Sequence, residues 1–143
     1  LDDTKKLAYN RANLTCELIF MKLSLVIPCF NEAENVATFQ NAAIDAFQNC
    51  GYDYELIFVN DGSKDDTLEK LQSIANKDAR IKVYSQTNKG AAKAREYGIK
   101  HAKGKYISFL DVDDFLSNNA RRAVECCIIL RILIYIPHVF KRP

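Results

Sequence analysis

Apolar and polar positions along this chain follow two alternating rhythms. Leu23, Leu25 and Ile27, with Ser24 and Val26 between them, form a short run ending at Pro28, the pattern of a buried strand. Val36, Phe39, Ala43, Ile44 and Phe47 then recur at helical spacing. Their polar, acidic lead-in, Asn31-Glu32-Ala33-Glu34-Asn35, suits the positive end of a helix dipole, and Cys50-Gly51 marks a stop. Glu55 to Val59 predicts a second strand running into the turn Asn60-Asp61-Gly62-Ser63. Ser63 and Asp66 have the spacing of a helix start, and Leu68, Leu71 and Ile74 give that helix its buried stripe. Ile81 to Ser85 reads as a third strand. After Asn88-Lys89-Gly90, Ala91, Ala94, Tyr97 and Gly98 predict a helix whose small residues let it lie close to a sheet; Gly104 breaks it, and Tyr106 to Leu110 forms a fourth strand.

Strands and helices in this order predict an α/β fold: a mostly parallel, Rossmann-like sheet with right-handed crossovers and helices on both faces. In such sheets ligands bind beyond the carboxyl ends of the strands, where the strand order reverses. Three polar turns fall on that rim: Cys29 to Glu32, Asn60 to Ser63 and Asp111 to Asp114. The last closes the run Phe109-Leu110-Asp111-Val112-Asp113-Asp114, whose carboxylates are hard oxygen ligands. Oxygens of this kind suit Mg2+ or Mn2+ held against the phosphates of a nucleotide.

Composition narrows the classes. At 143 residues and 48% apolar content the chain builds one core at most. A net charge of +2 does not point to a nucleic-acid partner. Five cysteines, Cys16, Cys29, Cys50, Cys126 and Cys127, include no CxxC pair, which argues against a zinc site or disulfide framework and fits a reducing, cytoplasmic setting. No apolar run approaches the roughly 18 residues of a transmembrane helix, so any membrane association would be peripheral. Cys29 is expected to fill space, His101 to pack or face solvent, and Lys82, Lys100, Lys103 and Lys105 to form a solvated face. The regular pattern begins at Met21. Residues 1–20 read as an appended extension, 21–119 as the organised core, and 120–143 as an atypical tail that a shifted or truncated reading frame would explain.

Four motifs, taken together, resemble a known family. Val26-Ile27-Pro28-Cys29-Phe30-Asn31-Glu32, then Phe58-Val59-Asn60-Asp61-Gly62-Ser63-Lys64-Asp65-Asp66-Thr67, then Asn88-Lys89-Gly90 with Ala94-Arg95, then Phe109 to Asp114 resemble the N-terminal half of family 2 glycosyltransferases of the GT-A fold. Each motif alone is weak, but four in the right order are specific.

The resemblance implies a nucleotide-sugar donor, commonly a UDP-sugar, and a carbohydrate or lipid-linked hydroxyl acceptor, with inversion at the anomeric carbon. It places Pro28, Phe30 and Glu32 along the base and ribose. Asp61 would accept a hydrogen bond from the base imide, and Asn60 stands where many relatives carry another aspartate. Lys89 and Arg95 would offset phosphate charge, and Gly90 would let the backbone approach closely. Asp113 becomes the principal metal ligand, with Asp111 on the ribose or the same metal. The general base and acceptor site are expected in a C-terminal half that would follow Asp114, so this chain is expected to be an incomplete, inactive donor half. Two alternatives stand beside it: a nucleotide- and metal-binding remnant without turnover, and a phosphatase-like reading of Asp111 as nucleophile and Asp113 as acid.

Overall fold

The structure, a computed structural model, describes residues 22–47, 53–112 and 140–141. Strand β1 (Lys22–Cys29) leads to helix α1 (Val36–Phe47), β2 (Asp53–Asp61), α2 (Thr67–Ala75), β3 (Ile81–Gln86), α3 (Ala91–His101), β4 (Tyr106–Phe109) and the short β5 (Phe140–Lys141). They form one sheet in the order β3-β2-β1-β4-β5. β1 pairs in parallel with β2 and β4, β2 in parallel with β3, and β5 runs antiparallel to β4. The predicted α/β, mostly parallel architecture is therefore the observed one. The chain builds outward from β1 to β3, then returns to lay β4 on the other side of β1. The strand order reverses between β1 and β4.

Strand periodicity explains why helices cover both faces. Leu23, Leu25, Ile27 and Cys29 of β1 point to one side with Tyr54, Leu56 and Phe58 of β2, and meet Val36, Phe39 and Ala43 of α1 and Leu71 and Ile74 of α2. Phe39 and Phe58 meet edge to face at 5.6 Å. Val26, Ile57, Val59 and Ile107 point to the other side, against Ala94 of α3 and Ala102. Gly98 makes that second layer thin: a Cβ there would come within 2.3 Å of Val26 Cγ1 and 3.2 Å of Val59 Cγ2. The small residues expected to bring α3 close to the sheet do so at Ala94 and Gly98, while Ala91 is exposed and Tyr97 half-buried.

A polar network pins the opposite end of this layer, at the amino ends of the strands. Glu55, 2% exposed, accepts from Ser24 Oγ at 2.6 Å and from the Lys103 backbone N–H at 2.7 Å. The Gly104 N–H in turn donates to Ser24 Oγ at 2.7 Å. Buried polar groups are kept where such partners satisfy them.

Several boundaries differ from the sequence expectation. β2 continues through Asn60 and Asp61, expected in a turn, because β3 extends to Gln86 and keeps both in register, Asn60 opposite Ser85 and Asp61 opposite Gln86. β4 stops at Phe109, although the Leu110 N–H still donates to Val26 O at 3.1 Å. The Ser63–Asp66 helix start does not form: Asp66 makes no side-chain cap, and the Asp65 carboxylate instead accepts the Thr67 N–H at 3.1 Å. Thr67 replaces Leu68 in the buried stripe, since its hydroxyl joins two loops. The expected stop at Cys50-Gly51, the Phe47 side chain, the extension 1–20 and the carboxylates Asp113 and Asp114 lie outside the described residues, as does the tail 120–143 apart from the backbone of β5.

Candidate functional site

At the carboxyl ends of β1, β2 and β4, where the strand order reverses, lies a cavity of about 290 Å³. Pro28, Cys29, Phe30, Glu32, Asp61, Ala91, Arg95, Asp111 and Val112 line it. Six of the residues singled out from sequence therefore converge: Pro28, Phe30, Glu32, Asp61, Arg95 and Asp111. They come from four separate segments, which the parallel sheet delivers to one rim.

The loop after β1 is held by the loop after β2. The Asn31 N–H donates to Ser63 Oγ at 2.9 Å, and Asn31 Oδ1 accepts from the Lys64 N–H at 2.9 Å. The Glu32 N–H donates to Thr67 Oγ1 at 2.8 Å, and the Ala33 N–H to Asp65 Oδ2 at 3.3 Å. Asn31 sits at φ +55°, a conformation that asparagine tolerates better than most side chains. This lacing leaves Phe30 standing out, 43% exposed, on the cavity wall. Such an apolar ring beside a cleft is a natural stacking surface for a flat heterocycle.

Asp61 is 3% exposed and works as an anchor within the protein. Its Oδ1 accepts from Gln86 Nε2 and from the Lys89 backbone N–H, each at 2.8 Å, and its Oδ2 from the Gly90 N–H at 2.8 Å. These bonds fix the segment entering α3. Gly90 serves through conformation: its φ of +88° lies in the left-handed region, and a Cβ there would meet nothing within 4 Å. Asn60, next door, donates to Ser85 Oγ at 3.1 Å and accepts from the Ser63 N–H at 3.2 Å.

Across the cavity, Arg95 donates to Asp111 Oδ1 at 2.7 Å, with both side chains partly exposed. The N-terminus of α3 opens on the same space through Ala91, and first-turn amides carry the partial positive charge that favours anions. Among the described residues, no group of three His, Cys, Asp or Glu side chains could hold a metal ion. Asp111 is the predicted ligand that the structure describes. Its half-exposed carboxylate at the cavity is a hard donor of the type Mg2+ and Mn2+ take.

Cys29 lines the cavity without being a nucleophile. Burial, assisted by the charge of Glu32, pushes its thiol up to about 12, so it stays protonated. Lys89 behaves differently from its neighbours. Its backbone N–H reaches Asp61, and the residue lines a second cavity, of about 260 Å³, with Gln86, Lys93, Glu96, Tyr97 and Lys100. Gln86, Ala91, Val112 and Thr67 also shape the site, although the sequence pattern assigned them no role there. Gln86 was findable, because the end of β3 lies on the same rim as the other strand ends; the rest depend on how the loops pack.

The sequence profile described as Glycosyl transferase family 2 matches residues 24–123. The chain belongs to this family. Relatives agree: an uncharacterized glycosyltransferase of Haemophilus influenzae is 38% identical over 99 residues, 68% of this chain and 38% of its own length. The cholesterol galactosyltransferase of Borreliella burgdorferi is 39% identical over 93 residues, 65% of this chain and 25% of its own. The chain thus spans well under half the length of these glycosyltransferases. S. aureus TarS 1–349, solved in complex with UDP-GlcNAc, is similar with a TM-score of 0.59 and 28% identity over 78% of this chain and 32% of its own. The mannosyltransferase PcManGT of Pyrobaculum calidifontis, solved with GDP-Man and Mn2+, matches at a TM-score of 0.59 over 85% of this chain and 39% of its own. At 20% identity that likeness speaks for the fold alone. Among the described residues no helix is long and apolar enough to cross a membrane.

Proposed function

We propose that this chain forms the donor-binding part of an inverting sugar transferase that takes a nucleoside diphosphate sugar, preferentially a UDP-sugar, and serves a carbohydrate or lipid-linked hydroxyl acceptor. The observation that carries this reading is the convergence of Pro28, Phe30, Glu32, Asp61, Arg95 and Asp111 on one cavity at the reversal of strand order in a family 2 fold. The cavity volume is close to the lower bound of about 300 Å³ for small-molecule sites.

In this reading Phe30 stacks on the base, and the remaining lone-pair capacity of Asp61 Oδ2 accepts from the base imide. Arg95 and the first-turn amides of α3 face the diphosphate, whose charge grows as the bond to the anomeric carbon breaks. Asp111 and Asp113 would hold a divalent cation, which supplies charge stabilisation to the leaving diphosphate. Arg95, already 2.7 Å from Asp111, keeps that carboxylate oriented toward the phosphates. The general base that takes the acceptor proton belongs, in this reading, to the further length that relatives possess.

Calorimetry of UDP binding with and without Mn2+ tests the reading, alongside assays for sugar transfer and donor hydrolysis. Wild type binds UDP more tightly with Mn2+, Asp113→Ala loses the metal enhancement, and Arg95→Gln loses about 10-fold in affinity, equivalent to about 1.4 kcal/mol. Metal dependence that survives Asp113→Ala counts against the assigned ligand. Failure to bind any nucleoside diphosphate overturns the function.

A further inference from the structure

The second cavity shares no lining residue with the first but is tied to it through Asp61. Gln86 and Lys89, two of its lining residues, are held from behind by Asp61, through the Gln86 side-chain amide and the Lys89 backbone N–H. Its other side is α3, which presents Lys93, Glu96, Tyr97 and Lys100 on successive turns. The Tyr97 ring is set edge-on against Tyr84 at 6.2 Å and His101 at 4.9 Å, while Tyr84 and His101 stack at 3.9 Å. Aromatic packing thus holds the Tyr97 ring, one of the lining residues, in place.

The charge around this pocket is unbalanced. Three lysines, Lys89, Lys93 and Lys100, line the pocket against the one carboxylate of Glu96. Glu96 pairs with Lys93 at 2.7 Å and more loosely with Lys100 at 3.9 Å, leaving two positive charges in excess. All three of the paired side chains are more than half exposed, so these ion pairs contribute little and the lysines can turn to another anion. A phosphate group carries about −1.5 to −2 charge at pH 7 and offers three acceptor oxygens to ammonium and amide donors.

We propose that this cavity on the outer face of α3 is a second anion site, distinct from the nucleotide pocket, that takes a phosphate-bearing group through Lys89, Lys93 and Lys100, with the Gln86 amide and Tyr97 hydroxyl as neutral partners. Two sources share that chemistry: a phosphorylated solute and the phosphate headgroups of an anionic lipid surface.

The test titrates the 15N-labelled full chain with inorganic pyrophosphate in metal-free buffer, and separately measures co-sedimentation with phosphatidylglycerol and phosphatidylcholine vesicles. Saturable amide shifts at Gln86, Lys93, Tyr97 and Lys100, with little change at Phe30 and Val112, identify a solute phosphate at this site. Retention by phosphatidylglycerol but not phosphatidylcholine vesicles identifies the headgroup source. Either response falls at least 10-fold in Lys93→Gln/Lys100→Gln, which cancels the excess charge, and rises several-fold in Glu96→Gln, which adds to it. Pyrophosphate shifts confined to Phe30, Arg95 and Val112 overturn the proposal. So does binding that the lysine double variant and Glu96→Gln leave unchanged, or the absence of both responses.

Discussion

Replacing Asp61 by alanine separates an anchoring role from a ligand-contact role. The carboxylate accepts three hydrogen bonds, all at 2.8 Å, from Gln86 Nε2 and the backbone N–H groups of Lys89 and Gly90. Hydrogen bonds to a charged acceptor contribute about 1.5–3 kcal/mol each. Lys89 and Gly90 are exposed, so water takes over much of what their amides lose. The expected net destabilisation is about 2–3 kcal/mol, or a fall of about 10–20 °C in melting midpoint for a domain of this size. Asp61→Asn falls in between, because its amide keeps one accepting oxygen but turns a donor toward one of the three N–H groups. Thermal melts followed by circular dichroism give the midpoints, and amide hydrogen exchange gives the local effect. Exchange at Lys89 and Gly90 accelerates selectively in the variants. An Asp61→Ala midpoint within about 2 °C of wild type, with exchange at these two amides unchanged, would show that the carboxylate does not hold the α3 entrance.

Other residues give independent checks. Gly98→Ala drives a methyl into Val26 and is expected to cost about 1–3 kcal/mol by urea denaturation. Part of that loss returns when Val26→Ala is added, whereas simple additivity would rule out the clash as its cause. With its thiol pushed up to about 12 and its side chain buried, Cys29 is expected to resist alkylation in the folded chain and to react once urea unfolds it. Peptide mapping reads this directly, and rapid labelling of native Cys29 contradicts it. The Thr67 hydroxyl holds the Asp65 carboxyl below its ordinary range, and Arg80 does the same for Asp78. Because the folded values are depressed, this stabilisation is complete above the ordinary aspartate value of about 3.9 and is lost as pH falls through the lower, folded values. Asp65→Asn and Asp78→Asn are expected to flatten the acid limb of a stability profile, and an unaltered limb refutes the assignment.

The local periodicities of Leu23 to Ile27, Glu55 to Val59 and Ile81 to Ser85, with the helical stripes between them, were enough to define an α/β sheet. Side-chain alternation and helical spacing are properties of the chain's own geometry. The three polar turns were likewise legible as motifs, since turn chemistry and carboxylate spacing are local. Ser63 and Thr67 were harder to read. Their hydroxyls are committed to Asn31 and Glu32, residues more than thirty positions away, and no local window contains both partners.

Sequence by itself therefore determined the first four strands, the helices, the family resemblance and most of the residues lining the cavity at the strand ends, whereas β5 was not foreseen. Tertiary structure decided how those residues are used. Three neighbouring donors made Asp61 an anchor for the α3 entrance, and a left-handed backbone angle accounts for the glycine at 90. The same entry into α3 places Lys89 among the residues lining a second, basic cavity rather than the first. A residue's type and spacing are written in the chain, whereas the direction its side chain takes depends on which distant segments the sheet brings beside it.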